Sequence, residues 1–172
     1  MQPKPLLSPV SKKQDALGRL GERLLTLVFP DLVLYDDPFD QNGDGYHRIT
    51  LRIFEVKVQD PLYIEGGVTL SLRKETNFHK CMAADDLYFV VYQSNRSHPR
   101  GKANWDKVII YRVIHRENYR ESERIYFEGG KRLKEKVIIY EWNNLEIVKE
   151  IYDPKLADLF RKHSGSQFLL PN

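Results

Sequence analysis

The sequence holds a single cysteine, Cys81, among its 172 residues. One thiol excludes a disulfide within the chain and argues against a structural zinc site, which normally takes several cysteine or histidine ligands. The five histidines do not have the spacing of metal ligands, and neither Glu-Gly-Gly turn is followed by the Lys-Ser/Thr of a phosphate-binding loop. Carboxylates and lysines remain as the groups that could carry chemistry.

Long apolar runs are also absent, because no stretch approaches the roughly 20 residues that a membrane-spanning helix needs. The first thirteen residues carry proline and lysine without a sustained apolar segment, which does not fit a signal peptide. We therefore expect residues 1–12 to form a flexible arm and residues 13–172 a single domain. We also expect a cytoplasmic location and no membrane partner.

The net charge of +3 is mild, but the charges are unevenly distributed. Residues 31–60 hold seven acidic and three basic residues, a local charge of −4. Residues 96–136 hold twelve basic and six acidic residues, a local charge of +6. An acidic centre beside a basic region suits a polyanion held next to bound cations, although the basic segment alone also fits an ordinary solvated surface.

Hydrophobic spacing and turn residues predict an α/β fold with a mixed sheet. Helices are predicted at residues 12–28, at 71–84 with Ser71 as the cap, and at 153–163 with Asp153 as the cap. Strands are predicted at 31–35, at 46–59 (one strand, or two with a bend near Arg48), at 86–93, at 107–113 and at 136–142. A hairpin turn is predicted at 64–68.

The most informative strand is the segment of residues 51–59. Strand alternation places Phe54, Val56 and Val58 on an apolar face. The opposite face begins with Leu51 and Ile53 and continues with Glu55, Lys57 and Gln59. Such a pattern is typical of a central strand that ends in a polar cleft.

Asp44 precedes this strand in a turn, so its carboxylate can approach that of Glu55. Two carboxylates with waters and a substrate phosphate satisfy Mg²⁺, and an adjacent lysine such as Lys57 could neutralise developing charge. A Glu-x-Lys tripeptide is also common on solvated surface strands. The apolar flanks of this strand favour the metal site.

The arrangement resembles the PD-(D/E)XK, or restriction-endonuclease-like, nuclease superfamily. The resemblance covers about residues 17–93 and rests on a helix with Glu22, a strand, Asp44, the strand with Glu55-Val56-Lys57, a helix and a strand. It implies an αβββαβ core with a mixed central sheet, to which residues 94–172 add strands and a helix. It also implies a Mg²⁺-dependent endonuclease, with Mn²⁺ able to substitute, acting on DNA.

By position, the resemblance implies metal ligation by Asp44, Glu55 and Glu22, catalysis by Lys57, and a supporting role for Gln59. No proline precedes Asp44, and the choice of the first aspartate stays open among Asp36, Asp37, Asp40 and Asp44. Asp44 is preferred because it lies eleven residues before Glu55, a length that suits a strand or a tight hairpin between them.

Residues 40–45 also match the start of a calcium-binding loop, but the twelfth position is Leu51 where a glutamate should close the site. A plain Asp/Asn/Gly turn explains the same composition. A non-catalytic nucleic-acid- or protein-binding module on the same fold is the alternative to an enzyme.

Basic residues near the predicted cleft are candidates for phosphate contact in DNA: Arg73, Lys74, Lys80, Arg96, Arg100 and Lys102. Tyr119, Tyr126 and Phe127 could stack on bases, but a role within a sheet is favoured. Cys81 is expected to be buried and inert in its helix. With one site per chain, cleavage of both strands implies a homodimer or higher homo-oligomer.

Overall fold

The computed structural model describes residues 9–36, 43–59, 66–93 and 107–163. It is mixed α/β. Its helices are α1 (Pro9–Val28), α2 (Glu75–Ala83) and α3 (Pro154–His163). Its strands are β1 (Leu32–Leu34), β2 (Gly45–His47), β3 (Ile53–Gln59), β4 (Gly67–Ser71), β5 (Asp86–Gln93), β6 (Lys107–Val113), β7 (Arg120–Glu128), β8 (Lys131–Glu141) and β9 (Leu145–Tyr152).

The central sheet has six strands in the order β1-β2-β3-β5-β6-β9. Strand β3 runs parallel to β5, with Glu55 opposite Leu87 and Lys57 opposite Phe89. The other pairs in this sheet are antiparallel. The predicted mixed central sheet is therefore confirmed. None of the helices in these ranges is long and apolar enough to cross a membrane.

Helices α1 and α3 cover one face of the central sheet. Their buried side chains pack on alternate residues of the strands, and Tyr92 of β5 stacks on Phe160 of α3 with ring centroids 5.6 Å apart. Gly21 lets α1 approach β3 closely, because a Cβ atom there would lie 2.3 Å from Val58 Cγ2. The apolar face predicted for β3 is confirmed, since Phe54 and Val56 are buried in this layer.

The opposite face is covered by α2 and by a second, three-stranded antiparallel sheet in the order β4-β8-β7. Val68 and Leu70 of β4 and Tyr140 of β8 pack there against Phe89 of β5. The molecule thus has two apolar layers, one on each side of the central sheet.

The predicted helix cap at Ser71 is wrong. Ser71 is the last residue of β4, and α2 begins at Glu75 after Lys74, which makes no side-chain cap. The Ser71 hydroxyl instead donates to Glu135 of β8. Pairing of β4 with a strand about seventy residues later overrides the local cap signal, and for the same reason residues 67–68 are strand rather than part of a hairpin turn.

Other boundaries differ from the predictions in ways that follow from exposure. The sequence pattern missed β9 because it is an edge strand whose side chains are mostly exposed, so alternation is blurred. It also missed the length of β7 and β8, which form a long hairpin. Helix α1 starts at Pro9, within the segment predicted as a flexible arm, and residues 1–8 lie outside the described part.

Several local predictions are confirmed. Residues 46–59 form two strands with a turn near Arg48, and β5 is buried along most of its length. Asp153 caps α3, since its Oδ1 accepts from the backbone N–H of Lys155 at 3.0 Å and of Leu156 at 3.3 Å. The Gly129–Gly130 turn joins β7 to β8 with φ of 57° and 77°.

Candidate active site

The polar face of β3 is turned away from α1, toward α2 and β4. Glu55 is only 2% exposed although it carries a carboxylate. Its Oε1 accepts from Lys57 Nζ at 2.8 Å, while its buried Oε2 has no hydrogen-bond partner among the described residues. Burial raises the pKa of Glu55, the Asp44 carboxylate adds to the rise, and Lys57 opposes it.

Asp44 is fixed between two strands immediately before β2. Its backbone N–H donates to Phe54 O and its carbonyl accepts from Tyr35 N, both at 2.9 Å. Its Oδ2 accepts from Val56 N at 2.7 Å. Burial raises the pKa of Asp44 and the Glu22 carboxylate adds to the rise, although the Val56 bond opposes it. Since Asp44 in turn raises the pKa of Glu55, the carboxylates of Asp44 and Glu55 lie close enough to interact electrostatically.

Asp36, a competing choice for the first metal aspartate, is exposed. Asp37 and Asp40 lie outside the described residues, as does most of the segment that matches the start of a calcium loop. Among the described aspartates, Asp44 is the one whose charge acts on Glu55.

Lys57 is the cation of the site, with a side chain 23% exposed. Its Nζ donates both to Glu55 and to Asn77 Oδ1 of α2. Burial acts to lower the pKa of Lys57, but Glu55 and Asp44 more than offset this, so the pKa lies above its ordinary value. The lysine is thus a charged ammonium at neutral pH, held by two acceptors.

Sequence reasoning missed Asn77. The available signal was its position four residues before Cys81, which places both on one face of α2. Cys81 is fully buried, as expected, and burial raises the pKa of its thiol to about 12. A polar residue on the buried face of a helix needs a polar partner, and here that partner is Lys57.

Glu22 and Gln59 lie at the edges of the site. Glu22 of α1 pairs with Arg19 at 3.2 Å and influences the pKa of Asp44. Gln59 is buried, and its Oε1 accepts from Thr69 N at 2.8 Å, which ties β3 to the second sheet. That oxygen of Gln59 is therefore engaged in holding the two sheets together.

The basic residues predicted to contact DNA divide into three groups. Lys80 of α2 lies near enough to both carboxylates to act against the rise of their pKa values. Arg73 is paired with Glu128 and Glu135 of the second sheet, and Lys74 is exposed just before α2. The remaining three, Arg96, Arg100 and Lys102, lie outside the described residues.

The donor set favours a particular kind of cation. In the described part of the chain, no three His, Cys, Asp or Glu side chains gather as a ligand cage. A zinc site needs such a cage, whereas Mg²⁺ binds through one or two carboxylates and keeps several waters. Asp44 and Glu55, one oxygen of which has no hydrogen-bond partner in the described segments, offer the carboxylate oxygens that Mg²⁺ takes as ligands.

No protein-family model and no curated protein matches this chain.

Proposed function

We propose that this chain is a Mg²⁺-dependent nuclease that hydrolyses DNA phosphodiester bonds. The observation that carries the proposal is the fully buried Glu55 carboxylate beside Asp44 and Lys57, one oxygen of which has no hydrogen-bond partner among the described residues. Leaving a buried carboxylate oxygen unsatisfied costs about 1–3 kcal/mol or more. Such a cost is understandable where the oxygen binds a cation.

The order of elements supports the proposal. Helix α1, the antiparallel strands β1, β2 and β3, helix α2 and then β5 parallel to β3 match the αβββαβ core that the resemblance implies. Strand β4 is inserted between β3 and α2 and belongs to the second sheet. Strands β6 to β9 and α3 follow the core.

In this proposal Asp44 and Glu55 would hold the cation, and the Glu22 carboxylate would add negative charge near Asp44. Bound Mg²⁺ supplies positive charge for the phosphate and lowers the pKa of a coordinated water. Lys57 presents its ammonium beside the carboxylates, where it can neutralise charge on the phosphate. The described residues leave Lys80 available to approach the DNA backbone from α2.

The test compares wild type with Glu55→Ala and Lys57→Ala on plasmid, linear and four-way-junction DNA in Mg²⁺. We expect both variants to lose cleavage while keeping their melting temperature and DNA affinity. Mn²⁺ should support wild-type cleavage. Metal-dependent nicking that survives both substitutions would contradict the proposal.

A non-catalytic DNA-binding module is the second candidate, favoured by the ion pair that Lys57 makes with Glu55. Binding without Mg²⁺-dependent cleavage of any of the three substrates would support it.

If the chain does cut duplex DNA, a homodimer would bring one site to each strand, and sedimentation with and without DNA would reveal it. The unpaired, buried Cys81 suits a reducing cytoplasm.

A further inference from the structure

The hairpin of β7 and β8 extends beyond both apolar layers. Strand β4 pairs only with Val137–Glu141 of β8, as residues 67–71 lie opposite residues 137–141. The backbone N–H of Leu72 still donates to Lys136 O at 2.9 Å, but among the described residues the strand segment from Lys131 to Glu135 pairs with β7 alone. The segments 125–128 and 131–134, with the turn between them, are called the hairpin arm below.

One face of the hairpin arm carries exposed apolar side chains. Phe127 lies opposite Arg132, and Ile125 opposite Lys134, so each pair shares a face of the ribbon. Farther along β8 the same face carries Ile138 and Tyr140, which pack into the core. Phe127 is 73% exposed and Ile125 is 45% exposed. On this face of the arm, exposed Phe127 and Ile125 therefore lie beside two basic side chains.

The arm is also basic. Lys131, Arg132 and Lys134 are exposed, and within the described residues none of them makes an ion pair. The one acidic residue between positions 125 and 134 is Glu128, which pairs with Arg73 at 3.8 Å. Apolar side chains set among unpaired cations fit a ligand with flat apolar surfaces and negative charge. Nucleic acid has both.

The same contact places the arm near the candidate active site. Arg73 lies two residues before α2 and bridges Glu128 and Glu135 of the hairpin. Asn77, in the first turn of α2, holds Lys57. The hairpin arm and Lys57 therefore both contact residues at the N-terminal end of α2.

We propose that the hairpin arm binds DNA with unpaired bases, with Phe127 stacking on a base and Lys131, Arg132 and Lys134 contacting phosphates. The inference rests on the proposed function for its choice of DNA, and it narrows the substrate class. A phenylalanine can stack on a base only where that base is not already stacked on both sides, as in single strands, flaps and open junctions. Intact duplex offers the arm phosphates alone.

The test measures affinity by fluorescence anisotropy in EDTA, with a single-stranded oligonucleotide, a blunt duplex and a duplex with a flap. Phe127→Ala is expected to weaken binding to the single strand and the flap about tenfold and to leave duplex affinity nearly unchanged. Phe127→Trp should retain binding, because it keeps the aromatic face. Ile147→Ala is the matched control, being an exposed apolar residue on the edge strand β9.

The charges are tested with a triple variant, Lys131→Gln, Arg132→Gln and Lys134→Gln. It should weaken binding to all three DNAs and reduce the slope of log affinity against log salt by about two. Lys149→Gln, an exposed lysine on β9, is the control. Melting temperatures should stay close to wild type, because the substituted residues lie outside the core.

Wild-type affinities for all DNAs in both arm variants would overturn the inference, as would a protein that binds none of them. A dimer that dissociates on Phe127→Ala, with DNA affinity unchanged, would assign the apolar face to a second copy and also overturn it. Arm-dependent binding without cleavage in Mg²⁺ keeps the inference and contradicts the proposed nuclease. Cleavage by a protein whose DNA affinity does not depend on the arm would keep the proposed nuclease and contradict the inference.

Discussion

Two glutamates are buried on the two sheets of this molecule, Glu55 on β3 and Glu135 on β8, and their surroundings differ. Both oxygens of Glu135 are engaged, one by the Ser71 hydroxyl at 2.8 Å and the other by Arg124, with Arg73 nearby at 3.7 Å. Glu55 accepts from Lys57 at one oxygen, and within the part of the chain that the structure describes its other oxygen has no hydrogen-bond partner. The two side chains are thus similarly buried, but the number of their carboxylate oxygens that have hydrogen-bond partners differs.

This difference suggests a structural role for Glu135 and a ligand-binding role for Glu55. Glu135 joins β4, β7 and β8 through contacts that the chain itself completes. Glu55 lies among Asp44, Lys57 and Asn77, and its Oε2 has no partner among the described residues. A buried carboxylate that the protein does not satisfy is suited to a ligand from outside.

The largest expected effect separates the two glutamates by activity. Glu55→Gln keeps the side-chain shape but removes the charge that would hold Mg²⁺, so we expect cleavage to fall roughly a thousandfold. This corresponds to about 4 kcal/mol of lost transition-state stabilisation. Glu135→Gln should cleave at close to the wild-type rate. Single-turnover cleavage of labelled DNA measures both, and equal rates for the two variants would erase the distinction.

Substitution of Glu135 should lower the stability of the fold more than substitution of Glu55, the reverse of their order in activity. Glu135→Ala leaves Arg124 without its buried partner, and we expect it to lower the free energy of unfolding by about 2–3 kcal/mol. Glu55→Ala removes a carboxylate that the described residues satisfy at one oxygen, and Lys57 keeps Asn77 as an acceptor, so the change should be less than about 1 kcal/mol. Urea unfolding followed by circular dichroism measures both. A greater loss of stability for Glu55→Ala would mean that Glu55 is part of the scaffold.

A smaller effect on the cleavage rate is expected from the hydrogen bond between Asn77 and the Lys57 ammonium. Asn77→Leu removes the second acceptor of the Lys57 ammonium, so Lys57 should be less well oriented and kcat should fall about tenfold with KM little changed. Asn77→Asp keeps an acceptor oxygen and should retain more activity. Thr76→Val, at an exposed neighbour on α2, is the control. An unchanged kcat in Asn77→Leu would leave Glu55 as the sole partner that matters to Lys57.

The smallest effect is on the pH dependence of stability. The folded state raises the pKa values of Glu55 and Asp44, mainly through burial, so between the ordinary and the raised pKa it binds more protons than the unfolded chain does. Their contribution is therefore present below the ordinary pKa and is lost as pH rises through the raised one. We expect a modest gain in melting temperature as pH falls from neutral toward the ordinary pKa of a carboxyl group, and a smaller gain in Glu55→Gln. A gain of the same size in Glu55→Gln would assign it to other groups.

The sequence predicts the half of the site that depends on neighbours along the chain. Strand alternation places Glu55, Lys57 and Gln59 on one face, and a short turn brings Asp44 back to Val56. The missed parts depend on distant pairing. Strand β4 is defined by β8, with Thr69 opposite Ile139, and Ser71 serves Glu135 rather than the helix that follows it. Asn77 meets Lys57 only after α2 has packed on the sheet.

Strand β3 is covered on both faces, by α1 behind Phe54 and Val56 and by α2 and the second sheet in front of Glu55. In kinetic terms, exposing such a strand means opening both layers, which is among the rarest fluctuations of a domain. The hairpin arm, two strands without a third, can fray in isolation. In the proposed nuclease we therefore expect fast rotations of Lys57 and its acceptors and slower movements of the arm. The backbone amide protons of β3 should exchange last.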